Sequence, residues 1–203
     1  MVTGSVVKDV FAKARVAGAG VRVDLMIELC LDRTNKTIPA DGYKSPAMIW
    51  GTETEPAARM AYEMSTGRDV EESGFVYLAD GTKAGCSVDG FVWDGSRKGI
   101  VEFKCPESKT HWGYLLGRVS PANYIPQMVH NMWITGADFC DFMSFDPRFD
   151  PAIQQFHIRV ERNESAIQVH AAGVLQFLME LDAEETKMRA FIEKRRAGIP
   201  EFV

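Results

Sequence analysis

Apolar residues at Ile167, Val174, Leu175, Leu178, Leu181, Met188 and Ile192 recur at the spacing of one helix face. They predict a long C-terminal helix with Asn163 as its N-cap. Ser45-Pro46 opens another helix. Serine can accept from the first free N–H groups, and proline at the first helical position gives up an N–H that has no partner there. This helix carries Met48, Ala57, Ala58, Met60, Ala61 and Met64 and stops near Gly67. Pro56 removes an internal hydrogen bond, so a kink or break is expected near Glu55. Val21–Leu31, Glu107–Arg118 and Pro121–Thr135 read as further helices, and the polar run from Asp32 to Lys44 reads as a loop.

Between these helices lie strand-like segments. Gly74–Ala79 and Ala84–Trp93 are predicted strands flanking an Asp80-Gly81 turn. A second turn at Asp94-Gly95 leads into Gly99–Lys104, where Val101 and Phe103 face one way and Glu102 and Lys104 the other. Asp138–Phe145 and Gln154–Arg162 add two strands joined by a proline-rich turn. This order predicts an α/β (α+β) fold with a central mixed β-sheet flanked by helices. The 203 residues suit a single domain over 1–203, divided into an N-terminal helical and loop segment (1–44), a core (45–162) and a C-terminal helix (163–203).

Composition narrows the class. At 46% hydrophobic and 25% charged residues the chain can bury a core without a disulfide or metal staple. No apolar run approaches the ~20 residues that span a bilayer. Met1–Lys13 lacks the pattern of a secretory signal, so a cytoplasmic protein is expected. Cys30, Cys86, Cys105 and Cys140 are scattered, and His111, His130, His157 and His170 have no zinc spacing. Free thiols and structural histidines are the expectation. The net charge of −5 argues against a phosphate-rich partner, although a local basic groove can coexist with acidic outer surfaces.

Candidate chemistry concentrates in Ser87-Val88-Asp89-Gly90 and Val101-Glu102-Phe103-Lys104. Glu102 and Lys104 share a strand face, and a hairpin brings Asp89, 13 positions earlier, opposite them. Two carboxylates on one face repel unless a cation lies between them. Magnesium, which keeps several waters and needs few protein ligands, suits such a pair. The Phe103 backbone carbonyl is a further oxygen donor, and Lys104 can orient a water or offset charge on a phosphate. Taken singly, Glu-x-Lys is more often a solvated strand face and Asp-Gly more often a turn.

Four ordered motifs carry a resemblance. Gly51–Arg59 matches GxxxExxAR, Ser87–Gly90 matches SPDG with Val88 in place of proline, Glu102–Pro106 matches ExKCP, and Tyr124–Thr135 matches YxxQxQxxMxxT except at its second Gln. Phe142–Arg148 matches the strand and DPR-like turn that follow. From Ser45 to Phe149 the chain resembles the lambda-exonuclease-like family, the YqaJ-type viral recombinases of the PD-(D/E)XK nuclease superfamily.

The resemblance implies a metal-dependent deoxyribonuclease encoded by a phage or prophage. It would digest linear double-stranded DNA 5′ to 3′, release mononucleotides and leave a 3′ single-stranded tail for recombination by strand annealing. Two Mg2+ ions are implied, with Mn2+ able to substitute. Asp89, Glu102 and the Phe103 carbonyl would be ligands, Glu55 a further acid acting directly or through water, Lys104 the water-positioning lysine and Gln127 an active-site amide. A ring-shaped homotrimer and a single-strand annealing protein are the implied partners, in the bacterial host cytoplasm. The family's N-terminal pattern for gripping a 5′-phosphate is not found in the chain. Arg15, Arg22 and Arg59 stand as candidate phosphate contacts. An endonuclease, or a DNA-binding protein without activity, on the same fold are the alternatives.

Overall fold

The computed structural model describes residues 1–13, 20–34 and 45–198. Its elements run β1 (Val2–Thr3), α1 (Val7–Val10), α2 (Val21–Thr34), α3 (Pro46–Thr66), β2 (Val76–Tyr77), β3 (Ala84–Cys86), β4 (Gly90–Asp94) and β5 (Arg97–Lys104). The remainder are α4 (Ser108–Leu115), α5 (Ile125–Thr135), β6 (Phe139–Phe145), β7 (Gln155–Glu161) and α6 (Glu164–Arg196). Single 3-10 turns at Pro121–Tyr124 and Pro151–Ile153 lead into α5 and β7.

The central sheet has the order β4-β5-β6-β7 and is mixed. β5 and β6 are parallel and the outer pairs antiparallel. A parallel pair needs a crossover, and α4 and α5 supply it. Alternation along β5 and β6 then sorts their side chains. Val101, Phe103, Phe139, Met143 and Phe145 pack with Ala58 and Tyr62 of α3. Ile100, Cys140 and Phe142 face the other way, toward Met128 and Met132 of α5 and Tyr114 of α4, in the same core as Phe177, Leu178 and Leu181 of α6. On the α3 side the buried Asp141 accepts from Tyr62 Oη at 2.7 Å and from Arg159 Nε and Nη2 at 2.7 and 2.8 Å. The second sheet is small, in the order β1-β3-β2, with β1 and β3 parallel.

Local signals set the helix ends. Ser45 Oγ accepts from Met48 N at 3.3 Å, and Gly67, at φ 68°, ends α3 in the left-handed conformation. Asn163 Oδ1 caps α6 by accepting from Ala166 N at 2.9 Å. The predicted break at Pro56 does not occur, and α3 runs through it. An exposed proline on a helix held by neighbouring turns and by packing forfeits one bond without ending the helix. Gly74–Ala79 contributes only Val76–Tyr77, and α4 stops at Leu115 rather than Arg118. The segment from Pro121 begins as a 3-10 turn, which places Pro126 in the first turn of α5 where no N–H is needed. Among the described residues no helix is long and apolar enough to cross a membrane.

The expected single strand Ala84–Trp93 is instead two strands in different sheets. β3 pairs with β1 and β2, β4 pairs with β5, and Ser87, Val88 and Asp89 span the gap. Gly90 is therefore not a turn residue but the first position of β4. A Cβ there would lie 2.2 Å from Val70 Cγ1 and 3.0 Å from the Glu71 carbonyl, so the close approach of that segment requires glycine.

Candidate active site

β4 pairs with β5 only as far as Gly90 opposite Val101, so the last residues of β5 run beyond their antiparallel neighbour. Asp89 takes up the free edge. Its Oδ2 accepts from the Phe103 backbone N–H at 2.6 Å. The N–H and C=O of one strand residue point to the same edge, so the Phe103 carbonyl also faces the Asp89 side. Arg59 of α3 donates to the Asp89 backbone carbonyl at 3.0 Å and pairs with Glu72 at 3.2 Å, which steadies the turn that presents Asp89.

Glu102 projects toward α5 and is 1% exposed, so this Glu-x-Lys face is not a solvated one. Its Oε1 accepts from Lys104 Nζ and, at 2.5 Å, from Gln127 Nε2. Its Oε2 accepts from Asn131 Nδ2 at 3.3 Å. Lys104 Nζ also lies 5.3 Å from the centre of the Tyr124 ring. Glu55 comes from the opposite side, on α3, into a cleft of about 460 Å³ that it lines with Thr52, Phe103, Lys104, Cys105 and Tyr124. A second cleft of about 320 Å³, lined by Gly4, Ser5, Lys8, Asn123 and Gln127, meets the first at Lys104 and Tyr124.

Burial dominates the electrostatics. It pushes the Glu102 carboxyl up to about 7, with the nearby Asp89 and Glu55 adding to the rise and Lys104 opposing it. Burial also raises Asp89, against the pull of Lys104 and of the Phe103 N–H, and raises Glu55, with Asp89 adding to it. Burial alone would depress the Lys104 ammonium, but Glu102 and Asp89 hold it above its ordinary value. When ionised, the three carboxylates outnumber the two cations beside them, Lys104 and Arg59, and Arg59 is itself paired with Glu72, which leaves an excess of negative charge at the cleft. That excess, made of hard oxygen donors, fits a divalent cation. Among the described residues no three His, Cys, Asp or Glu side chains form a cage by themselves. The donor set therefore suits magnesium, which takes one or two carboxylates and completes its shell with water and phosphate oxygens.

The structure thus brings together Asp89, Glu102, Phe103, Lys104 and Gln127, with Glu55 and Arg59 beside them. Arg22 is engaged elsewhere. It donates to the Val10 carbonyl at 3.0 Å, pairs with Glu180 at 2.8 Å and lies over the Phe177 ring. Arg15 lies outside the described residues. Sequence reasoning missed Asn131, although it stands one turn after Gln127 on the same helix face. It also missed Ser5, Lys8 and Asn123, which carry no spacing signal. The histidines His111 and His130 bond within the fold. His111 bonds Ser144 at 2.8 Å and His130 bonds His170 at 3.1 Å, while Cys30, Cys86, Cys105 and Cys140 are free thiols.

A family model for the YqaJ-like viral recombinase domain matches residues 1–138. Two crystal structures of LHK-Exo, an alkaline exonuclease from Laribacter hongkongensis, are 36% identical to the chain. The one in complex with dAMP aligns at a TM-score of 0.82 over 97% of this chain and 93% of that one. The other aligns at 0.84 over 95% and 93%. A phage-related exonuclease from Haemophilus somnus 129PT, 14% identical, aligns at 0.71 over 92% of this chain and 96% of its own, a likeness of fold alone. A search of curated proteins finds no match.

Proposed function

The chain belongs to the YqaJ-like viral recombinase family, and on that premise we propose that it is a magnesium-dependent exonuclease acting 5′ to 3′ on linear double-stranded DNA. The observation that carries this reading is the convergence of Asp89, Glu102, the Phe103 edge and Lys104 at one end of β5, with Gln127 on the same carboxylate. The alkaline exonuclease relative, and its complex with a mononucleotide, support release of mononucleotides.

Asp89, Glu102 and the Phe103 carbonyl would hold magnesium, with Glu55 reaching it directly or through water. When bound, the ion supplies a lowered pKa for the attacking water and charge neutralisation at the phosphate. The chain's own groups do the rest. Lys104 Nζ has three donors and spends one on Glu102 Oε1, leaving others to orient the water and to offset charge on a phosphate oxygen. Gln127 Nε2 holds the same Oε1, so the carboxylate keeps its orientation as charge builds nearby. Lys8, Ser5 and Asn123 in the adjoining cleft supply a cation, a hydroxyl and an amide to a neighbouring phosphate of the strand.

The net charge of −5 is reconciled with a DNA substrate if copies close into a ring, a homotrimer with the clefts turned inward. The exposed 3′ tail would pass to a single-strand annealing protein in the host cytoplasm. The experiment is digestion of an end-labelled linear duplex and of a matched closed circle, with Mg2+ or with chelator, by the native protein and by Asp89→Ala. Mononucleotides are expected from the linear duplex only, and first from the 5′-labelled strand. Chelator and the substitution should abolish their release. Cutting of the circle would overturn the exonuclease reading, and binding without cleavage would overturn the enzyme reading altogether.

A further inference from the structure

Asn131 lies deep beside the site, 1% exposed. Its Nδ2 donates to Glu102 Oε2, while Lys104 and Gln127 occupy Oε1. Its Oδ1 is buried with no hydrogen-bond partner. An orphaned buried acceptor is ordinarily disfavoured, so something must hold the amide this way round. One thing does: turning the amide over would place its oxygen against the Glu102 carboxylate. On the other side Gly4 stands directly behind the amide and keeps it as a whole from drawing back from Glu102. A Cβ at that position would lie 2.3 Å from Asn131 Oδ1 and 3.3 Å from Gln127 Cγ. Gly4 cannot retreat freely, because β1 just before it is fixed by pairing with β3, Val2 opposite Ala84 and Thr3 opposite Gly85.

We propose that Asn131, backed by Gly4, is a positioning residue that fixes the Glu102 carboxylate for a divalent cation, so that the N-terminal segment helps set cation affinity. The inference rests on the reading of Glu102 as a cation ligand. The residue type suits the task. A neutral amide orients a carboxylate without neutralising it, whereas a second lysine would compete with the cation and an aspartate would repel Glu102. Glycine at position 4 suits it equally, since any side chain there would strike the amide oxygen.

The test is calorimetric titration of Mn2+ into the DNA-free protein, with melting temperatures recorded as a check on folding. The proteins are native, Glu102→Gln, Asn131→Ala, Gly4→Ala and the double Gly4→Ala/Asn131→Ala. Asn131→Ala and Gly4→Ala are each expected to bind Mn2+ about 10–100-fold more weakly, the usual effect of losing an outer-shell partner. The double variant should bind no more weakly than Asn131→Ala alone, because the truncation removes the atom that the new methyl strikes. Native affinity in Asn131→Ala overturns the proposal, and losses that multiply in the double variant overturn the role of Gly4. Asn131→Ser replaces Asn131→Ala if the latter does not fold, with the same expectation. Native Mn2+ affinity in Glu102→Gln would instead remove the underlying assignment of the site.

Discussion

Acidification from about pH 8 to about pH 5 should destabilise the protein through the buried pair His130 and His170. His130 is fully buried and His170 7% exposed. The rings lie between Phe11 and Trp133, with His130 Nδ1 3.1 Å from His170 Nε2 and His130 Nε2 3.2 Å from the Gly85 carbonyl. A carbonyl only accepts, so His130 carries its proton on Nε2, and its Nδ1 accepts from His170. This pattern serves two neutral rings, and a second added proton would set two cations edge to face in contact. Burial pushes both imidazoles down to about 4, with His130 further depressing His170. The unfolded chain takes up protons near pH 6.5 and the folded one only near pH 4. Stability is thus complete above about 6.5 and is lost as the pH falls toward 4. A drop from 6.5 to about 4 implies a loss at pH 5 of about 2 kcal/mol per ring, or about 2–4 kcal/mol for the coupled pair. Urea unfolding at several pH values, compared between native protein and His170→Gln, isolates this contribution, since the carboxylates titrate in both. By pH 5 the variant should have lost about 2 kcal/mol less than the native protein, the contribution of one ring, whatever the carboxylates add or remove in both. Identical acid dependence of the two would refute the reasoning.

Two further outcomes test the division between scaffold and site. Arg22→Ala removes a half-exposed ion pair, a bond to the Val10 carbonyl and a contact with the Phe177 ring, and should cost about 1–2 kcal/mol in urea unfolding. Cleavage rate and DNA affinity should stay native, and a loss of DNA affinity at unchanged stability would return Arg22 to the substrate. Tyr62→Phe removes a 2.7 Å bond to the buried Asp141, which keeps its two bonds from Arg159. It should cost about 1–3 kcal/mol by thermal or chemical unfolding, with Mn2+ binding unchanged.

Much of the site could be read from the chain because its chemistry is local. Asp89, Glu102 and Lys104 are linked by one hairpin and one strand period, and Gln127 sits in a motif with its own helix. The ends of α3 and α6 were equally legible, since Ser45, Gly67 and Asn163 act within one turn. The expected strand through Asp89 failed because alternation describes a pleat and not which sheet it joins. Only the meeting of two sheets places the interruption between strands at Ser87–Asp89. The burial of Glu102 was likewise invisible in Glu-x-Lys, a pattern that also describes a solvated face. The parallel crossover that lays α5 over that face decides it. Asn131 and Gly4 are 127 positions apart in sequence, and each is ordinary where it stands. Their contact exists because β1 adds to β3 beside α5, a long-range pairing that no local spacing encodes. The sequence by itself determined which groups are candidates for the chemistry and where α3 and α6 are capped, because covalent spacing and capping act over a few residues. The tertiary structure alone decided which faces lost their water, and with that the electrostatics that make the same residues a site.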